Sequence, residues 1–403
     1  MRIVKRAIAG SGLLWLAVAC AGGPPPRGPA AVVSSSRAAH AALPAEAPAA
    51  SAASSPAPAR STAPAPPAPL PFLKGETHVH TARSYDAHTP PRDVLAFYAA
   101  HGYDFVALTD HNRITVVDPP DGLLLIPGVE FTQNSKDCVP PPAPGYRCLF
   151  HATGLFVDPA RDRFHGGLIS MPFQRGRMDA YRWEIRHARA LGGVAVLDHP
   201  LFHFAANAGM IARLAHEGLK LVELFNASLD GQFPGGRRAA EDRAERLWND
   251  ILDRGMLVYG MATDDAHHFA DAANRRRHGR YAYVGDRAWI MVRAEKRPDA
   301  IRRAVLAGHF YDSTGVTLRT LDRSARSFHL VVEAQPGEHY AIRFVGRHGK
   351  LLFHVDGPEA SYRIRGDEGW VRAVVESSSG HRAWTQPVML GTKDRTGQGG
   401  AGD

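Results

Sequence analysis

From about residue 72 to residue 310, short apolar runs alternate with stretches of helical periodicity. This alternation limits the fold more than any other feature. Strand and helix in strict turn predict an α/β domain built on a largely parallel sheet. Seven strands are expected, near residues 76–80, 105–109, 123–130, 149–157, 194–197, 219–224 and 256–261. Helices are expected over 91–101, 178–191, 207–217 and 237–254. The first follows Thr89 and Pro90, a start signal, and the others stop at Gly192-Gly193, Gly218 and Gly255. A strand over 289–293 and a helix over 298–307 close the domain.

After Gly308 the pattern changes. Short alternating runs over 328–334, 340–345, 351–355, 361–364, 370–376 and 383–390 are separated by turn residues. They predict a small antiparallel β-sandwich over 316–391, after an α/β domain over 72–312. The glycine-rich residues 392–403 read as a flexible tail.

The N-terminus reads as an export signal. Arg2, Lys5 and Arg6 precede an apolar run from Ala7 to Ala19, which is short for a bilayer span. Ala17-Val18-Ala19-Cys20 resembles a bacterial lipobox, so lipid on Cys20 is expected and residues 1–20 form the signal peptide. An ordinary secretory signal is the alternative. Ala21 in place of Asp favours the outer membrane, on the periplasmic or cell-surface side. Residues 21–71 are mostly Pro, Ala and Ser, a composition that buries too little apolar surface to fold. They are expected to be a disordered tether. Of the three cysteines, Cys138 and Cys148 remain as a pair. In an exported chain they are expected to form a disulfide. A thiolate metal site is the alternative, and no CxxC spacing supports it.

The net charge of +8 comes from scattered arginines with no aromatic-basic module, so no nucleic-acid partner is expected. Oligomeric state is not legible.

Barrels of parallel strands gather their chemistry at the C-terminal strand ends. The first strand offers His78 and His80, which a period of two places on one side, with Asp86 in the loop beyond. The second ends in Asp110-His111 and the third in Glu130. The fifth ends in Asp198-His199, the sixth carries Glu223 and then Asn226, and the seventh ends in Asp264-Asp265-Ala266-His267-His268. His151 is the misfit, because it lies near the start of its strand. A lone histidine at a strand end is ordinarily a polar residue satisfied by a neighbour. The joint pattern points instead to metal, and imidazole with carboxylate suits zinc, iron or manganese. His40, His101, His165, His187, His309, His329 and His348 follow no such pattern.

These motifs resemble the polymerase and histidinol phosphatase (PHP) family of metallohydrolases. The matching residues are His78-Val79-His80-Thr81, Ser84-Tyr85-Asp86, Thr109-Asp110-His111-Asn112, Pro127-Gly128-Val129-Glu130, His151, Asp198-His199-Pro200 and Asp265-Ala266-His267, in the family's order over about 74–310. Lys74-Gly75-Glu76-Thr77 and Ala383-Trp384-Thr385-Gln386-Pro387 resemble its carbaryl-hydrolase-like branch. Glu76 stands where that pattern commonly has Asp, and Ala87 where it has Gly.

The resemblance implies a distorted (β/α)7 barrel holding two or three divalent metals. One ion would take His78, His80, Glu130 and Asp265. A second would share Glu130 and add His151 and His199. A third would take Asp86, His111 and His267. The expected chemistry is hydrolysis by a metal-bridging hydroxide, with Asp265 orienting it or accepting its proton. A small-molecule phosphoester is the first expectation for substrate, and a carbamate or carboxylic ester the runner-up. A surface-tethered binding protein with structural metal is the other class. Arg175, Arg177, His203 and His268 are the candidates for substrate contact.

Overall fold

The structure is a computed structural model that describes residues 70–390. The expected signal peptide, Cys20, the tether to residue 69 and the tail lie outside the described residues. Among the described residues no helix is long and apolar enough to cross a membrane.

The chain is mixed α/β. Seven strands lie side by side in chain order: β1 (Phe72–Val79), β2 (Phe105–Leu108), β3 (Leu124–Ser135), β4 (Cys148–Leu155), β5 (Val194–Leu197), β6 (Leu221–Asn226) and β7 (Tyr259–Thr263). Helices α1 (Pro91–Ala100), α2 (Arg177–Ala190), α3 (Ala208–His216) and α4 (Gly236–Asp253) fall in the intervals expected for them. Asn207 caps α3 by accepting from Met210 N–H, and Gly218 ends it in the left-handed region at φ 93°. The sheet curls until the end of β7 meets β1, where Asp265 N–H donates to His78 O and His80 N–H to Ala266 O.

All seven strands supply one apolar cluster, including Leu73, Phe105, Ile126, Leu155, Val196, Leu221 and Met261. Residues drawn from every strand of a closed sheet meet only in its interior. Helix α6 (Pro298–Leu306) packs Ile301 and Val305 against this cluster. It follows β8 (Trp289–Arg293), whose end pairs with the start of β1, so it closes the end where β1 begins.

The direction of β4 differs from a uniformly parallel barrel. Residues of β3 up to Pro127 pair parallel with β2, whereas Gly128 to Ser135 pair antiparallel with β4. Strand β4 also runs antiparallel to β5. The β3–β4 connection, residues 136–147, contains no crossover helix, so the two strands form an antiparallel hairpin. Its base carries the Cys138–Cys148 disulfide.

Beyond the barrel, β8 pairs with β1 and with β9 (Phe310–Ser313), and β9 pairs with β16 (Arg382–Thr385). The sheet continues through β15 (Trp370–Ser377), β12 (Tyr340–Gly346) and β13 (Lys350–Asp356). A second sheet of β10 (Leu318–Arg323), β11 (Ser327–Val332) and β14 (Glu359–Arg363) covers it through Leu318, Phe328, Leu330, Ile342, Phe344 and Val375. Strands β9 and β10 carry no expectation from the sequence. The run expected over 383–390 is two strands, β16 and β17 (Val388–Met389), separated at Pro387, which has no N–H to give a ladder.

Helix α5 (Ala272–Arg277) is a short turn in the β7–β8 connection.

Candidate metal centre

His78, near the end of β1, and His80, just beyond it, are completely buried where β1 meets the end of β7. Each ring is held from behind. His78 Nδ1–H donates to Glu223 Oε1 at 2.7 Å, and His80 Nδ1–H to Ser84 Oγ at 2.9 Å. Ser84 is itself fixed by donating to Asp110 Oδ1. With Nδ1 protonated on each neutral ring, the form that binds metal, both Nε2 atoms present lone pairs, and these lie 3.1 Å apart. Two facing lone pairs repel unless a cation lies between them.

The carboxylates complete that arrangement. Asp265 Oδ1 lies 3.3 Å from His80 Nε2 and 3.6 Å from His78 Nε2. Glu130 Oε1 is 3.6 Å from His78 Nε2, and its Oε2 is 3.6 Å from His80 Nε2. Donors bound at about 2.1 Å around a tetrahedral ion stand about 3.4 Å from one another. His78, His80 and Glu130 therefore have the spacing of a ligand set, and Asp265 stands at that distance from both histidines.

Glu130 also faces a second group. Its Oε1 lies 2.8 Å from His151 Nδ1 and 3.3 Å from His199 Nε2, and those two nitrogens are 3.3 Å apart. His151 Nε2–H donates to Asn134 Oδ1, which leaves Nδ1 as the free donor atom. A third group lies beyond His80. Asp86 Oδ2 is 3.3 Å from His111 Nε2 and 3.6 Å from His267 Nε2. His80, His111 and His267 also converge closely enough to hold an ion together. The nine residues expected as ligands thus lie in one contiguous cluster, and Glu130 touches all three of its parts, since its Oε2 also lies 2.5 Å from His111 Nδ1.

Charge follows from the same contacts. Burial raises the Glu130 carboxyl, but His111, His151 and His78 hold it well below the usual range. Asp265 is likewise held well below it against burial, by His78, His80 and His267. Burial opposes charge on His111, yet Glu130 and Asp86 lift it to about 10. His80 goes the other way, pushed down to about 3 by burial and by His267 and His111. An ion entering the cluster must displace protons, so its affinity rises with pH.

His151 reaches the cluster because β4 is antiparallel. Its N-terminal half lies beside the C-terminal ends of β3 and β5, with His151 opposite Thr132. Glu223 and Asn226, which the sequence places at a strand end, have holding roles. Glu223 Oε2 accepts from His199 N–H and from Asn226 Nδ2, and Asn226 Nδ2 and Ser228 Oγ both reach Asp265 Oδ2. Asn134 carries no sequence signal beyond sharing the strand face of Glu130 and Thr132. It joins His151 to Tyr85, whose exposed ring stacks on His111 at 4.7 Å between centroids.

The four substrate-contact candidates sit differently. Arg177 opens α2, is 6% exposed, and donates to the carbonyls of Pro140, Phe204 and Ala205. That sets aside substrate contact, because its guanidinium is committed to tying the β3–β4 hairpin to the β5–α3 loop. Arg175 is exposed and paired with Asp137 at 2.8 Å. His268 is buried, and its Nδ1 accepts from Tyr283 N–H. His203 Nδ1 accepts from Arg147 N–H, with the ring between Tyr146 and Phe202.

No family model matches the chain, and no curated protein matches it. Among solved structures it is similar to a two-domain protein from Bacteroides vulgatus described as containing a predicted PHP-like metal-dependent phosphoesterase. Identity is 16% over 76% of this chain and 90% of that one, with a TM-score of 0.42. An amidohydrolase from Chromobacterium violaceum, with bound sulfate and no metal, is 17% identical over 49% of this chain and 88% of that one, with a TM-score of 0.31. Both likenesses are loose, and the functional reading rests on the cluster itself.

Proposed function

We propose that this protein is a metal-dependent hydrolase of the PHP type, acting on a small-molecule phosphoester. One observation carries the reading: buried histidine and carboxylate donors converge in adjoining groups at ligand spacing, with Glu130 in contact with His78, His151 and His111. A structural site is ordinarily closed, tetrahedral and single. Two or three divalent ions, zinc, iron or manganese, suit this donor set. Such ions lower the pKa of water and polarise an ester oxygen.

The chain's own residues do the rest. His78, His80, Glu130 and Asp265 hold one position, Glu130, His151 and His199 a second, and Asp86, His111 and His267 a third. Asp265 stays ionised and is fixed at Oδ2 by Asn226 and Ser228, which aims Oδ1 into the cluster, where it would serve as a ligand and orient a bound water or take its proton. A carbamate or carboxylic ester is the second reading. Its support is that Arg175 is paired and Arg177 buried, which withdraws two cations from a phosphoryl group.

The N-terminal sequence supports export and lipid on Cys20, and the Cys138–Cys148 disulfide suits an oxidising compartment. Outer-membrane attachment is part of this proposal.

The test is metal analysis of the purified protein, with hydrolysis of p-nitrophenyl phosphate, its diester, and naphthyl carbamate and acetate. His111→Ala should lose one ion and most activity. Unchanged metal content and rates in that variant would refute the three-part cage. Bound metal with no turnover of any ester would refute the hydrolase.

A further inference from the structure

The open edge of β7 points to a role for the β-sandwich. Among the described residues, strand β7 has a ladder partner on one side only, β6. On its other side the backbone groups face the gap between β7 and β1. A parallel ladder sends alternate N–H groups to each side. The donors facing the gap are those of Gly260, Ala262 and Asp264. Each is taken by a side chain. Gly260 N–H donates to Gln386 Oε1 at 3.0 Å, and Gln386 Nε2 donates back to Gly260 O at 2.8 Å. Ala262 N–H donates to Asp312 Oδ1 at 2.9 Å. Asp264 N–H donates to Glu76 Oε1 at 3.3 Å. One residue later the true barrel contact begins, with Asp265 N–H on His78 O.

We infer that Gln386, Asp312 and Glu76 form a side-chain seam that replaces the missing β7–β1 ladder and positions Asp265 and His267 in the metal cluster. Three features support this. The seam is dry: Gln386, Asp312 and Glu76 are fully buried, so water cannot serve the same backbone groups. It is cross-braced, since Gln386 Nε2 also donates to Asp312 Oδ2 at 3.0 Å. It also leads directly into a constrained residue. Asp265 adopts φ 50°, a left-handed conformation that a non-glycine residue holds only where its surroundings enforce it. Asp312, on β9, and Gln386, just beyond β16, come from the far side of the barrel–sandwich junction. Trp384, two residues before Gln386, stacks on Phe225 of β6 at 3.8 Å and 14°. The sandwich thus grips both strands that flank the cluster's last ligands. These are positioning residues, because none touches a ligand donor atom through the seam.

The test uses the full chain. In metal-free wild type, the amides of Gly260 and Ala262 should exchange as slowly as that of Tyr259, which bonds to Lys220 O toward β6. Fast exchange at both overturns the seam without any variant. Gln386→Met keeps the shape and removes both bonds to Gly260. It should speed exchange at Gly260 by about tenfold or more, as expected for an orphaned buried donor. In the cobalt-loaded variant the visible bands should shift and less than the wild-type complement of ion should be retained. A folded variant with wild-type exchange overturns the seam. An unchanged cobalt spectrum overturns the positioning role even where exchange rises. The inference rests on the metal-cluster reading, but neither readout uses turnover, so its failure is distinct from failure of the hydrolase proposal.

Discussion

Replacing Glu223 by Gln probes how one carboxylate holds two ligands. Glu223 Oε1 accepts from His78 Nδ1–H at 2.7 Å, and Oε2 from His199 N–H at 3.2 Å. His78 and His199 belong to different donor groups, so the residue braces both. After burial, which works against charge, Glu223 is the strongest influence keeping His78 well above its ordinary pKa. A glutamine offers one acceptor oxygen and one NH2. Whichever way it turns, a donor meets a donor, on His78 or on His199. That leaves a buried N–H without an acceptor, at a cost of about 1–3 kcal/mol. If the mismatch falls on His78, the ring favours the other tautomer and loses the Nε2 lone pair aimed at the cluster. Loss of such a bracing carboxylate ordinarily weakens metal affinity about 10- to 100-fold, equivalent to about 1.4–2.8 kcal/mol. Glu223→Leu removes both contacts and should fall at or beyond the upper end. The assay titrates metal-free protein with zinc against a chromophoric chelator near neutral pH, alongside a thermal melt to confirm folding. A folded Glu223→Gln variant whose affinity stays within about twofold of wild type would refute the reasoning.

Two further outcomes concern stability. Cys138 and Cys148 are 10 residues apart in sequence, and closing a loop of that length stabilises by about 2.7 kcal/mol. Four prolines in the loop already restrict the unfolded chain, so Cys138→Ser with Cys148→Ser should cost that much or less in urea unfolding. No shift of the midpoint would refute the estimate. Burial lifts Glu241 from its usual 4.5 to about 7, although Arg382 Nη1 lies 3.4 Å away. A carboxyl raised in the folded state keeps a proton that the unfolded chain gives up. Stability therefore falls as pH rises from 4.5 toward 7. Glu241→Gln should flatten that part of the profile, and melting points that respond to pH identically in wild type and variant would contradict it.

Local order in the chain made most donors legible. His78 and His80 share a face because a strand has period two, and that holds whatever the strand pairs with. Asp110-His111, Asp198-His199 and Asp265-Ala266-His267 each follow an apolar run, so their place at strand ends needed only strand length. Glu130 was legible as a strand residue, although its strand runs on to Ser135. Strand direction was not legible. His151 stands at the wrong end of its segment for a parallel barrel, and only the antiparallel course of β4 brings it to Glu130. Arg177 shows the same limit from the other side. Its sequence suggests an exposed cation, whereas packing at the start of α2 turns it onto three carbonyls.

The alternation of strands and helices, and the strand-end positions of the candidate donors His78, His80, His111, Glu130 and His199, are thus written in local sequence. Each follows from periodicity or from position within a short segment. That Glu223 braces two donor groups follows from strand pairing alone. Pairing also brings His151 to them and sets Gln386 and Asp312 along the free edge of β7. Those relations join residues as many as 145 positions apart, such as His78 and Glu223. Their cause is how strands pair and how a curved sheet closes, which no local pattern of side chains encodes.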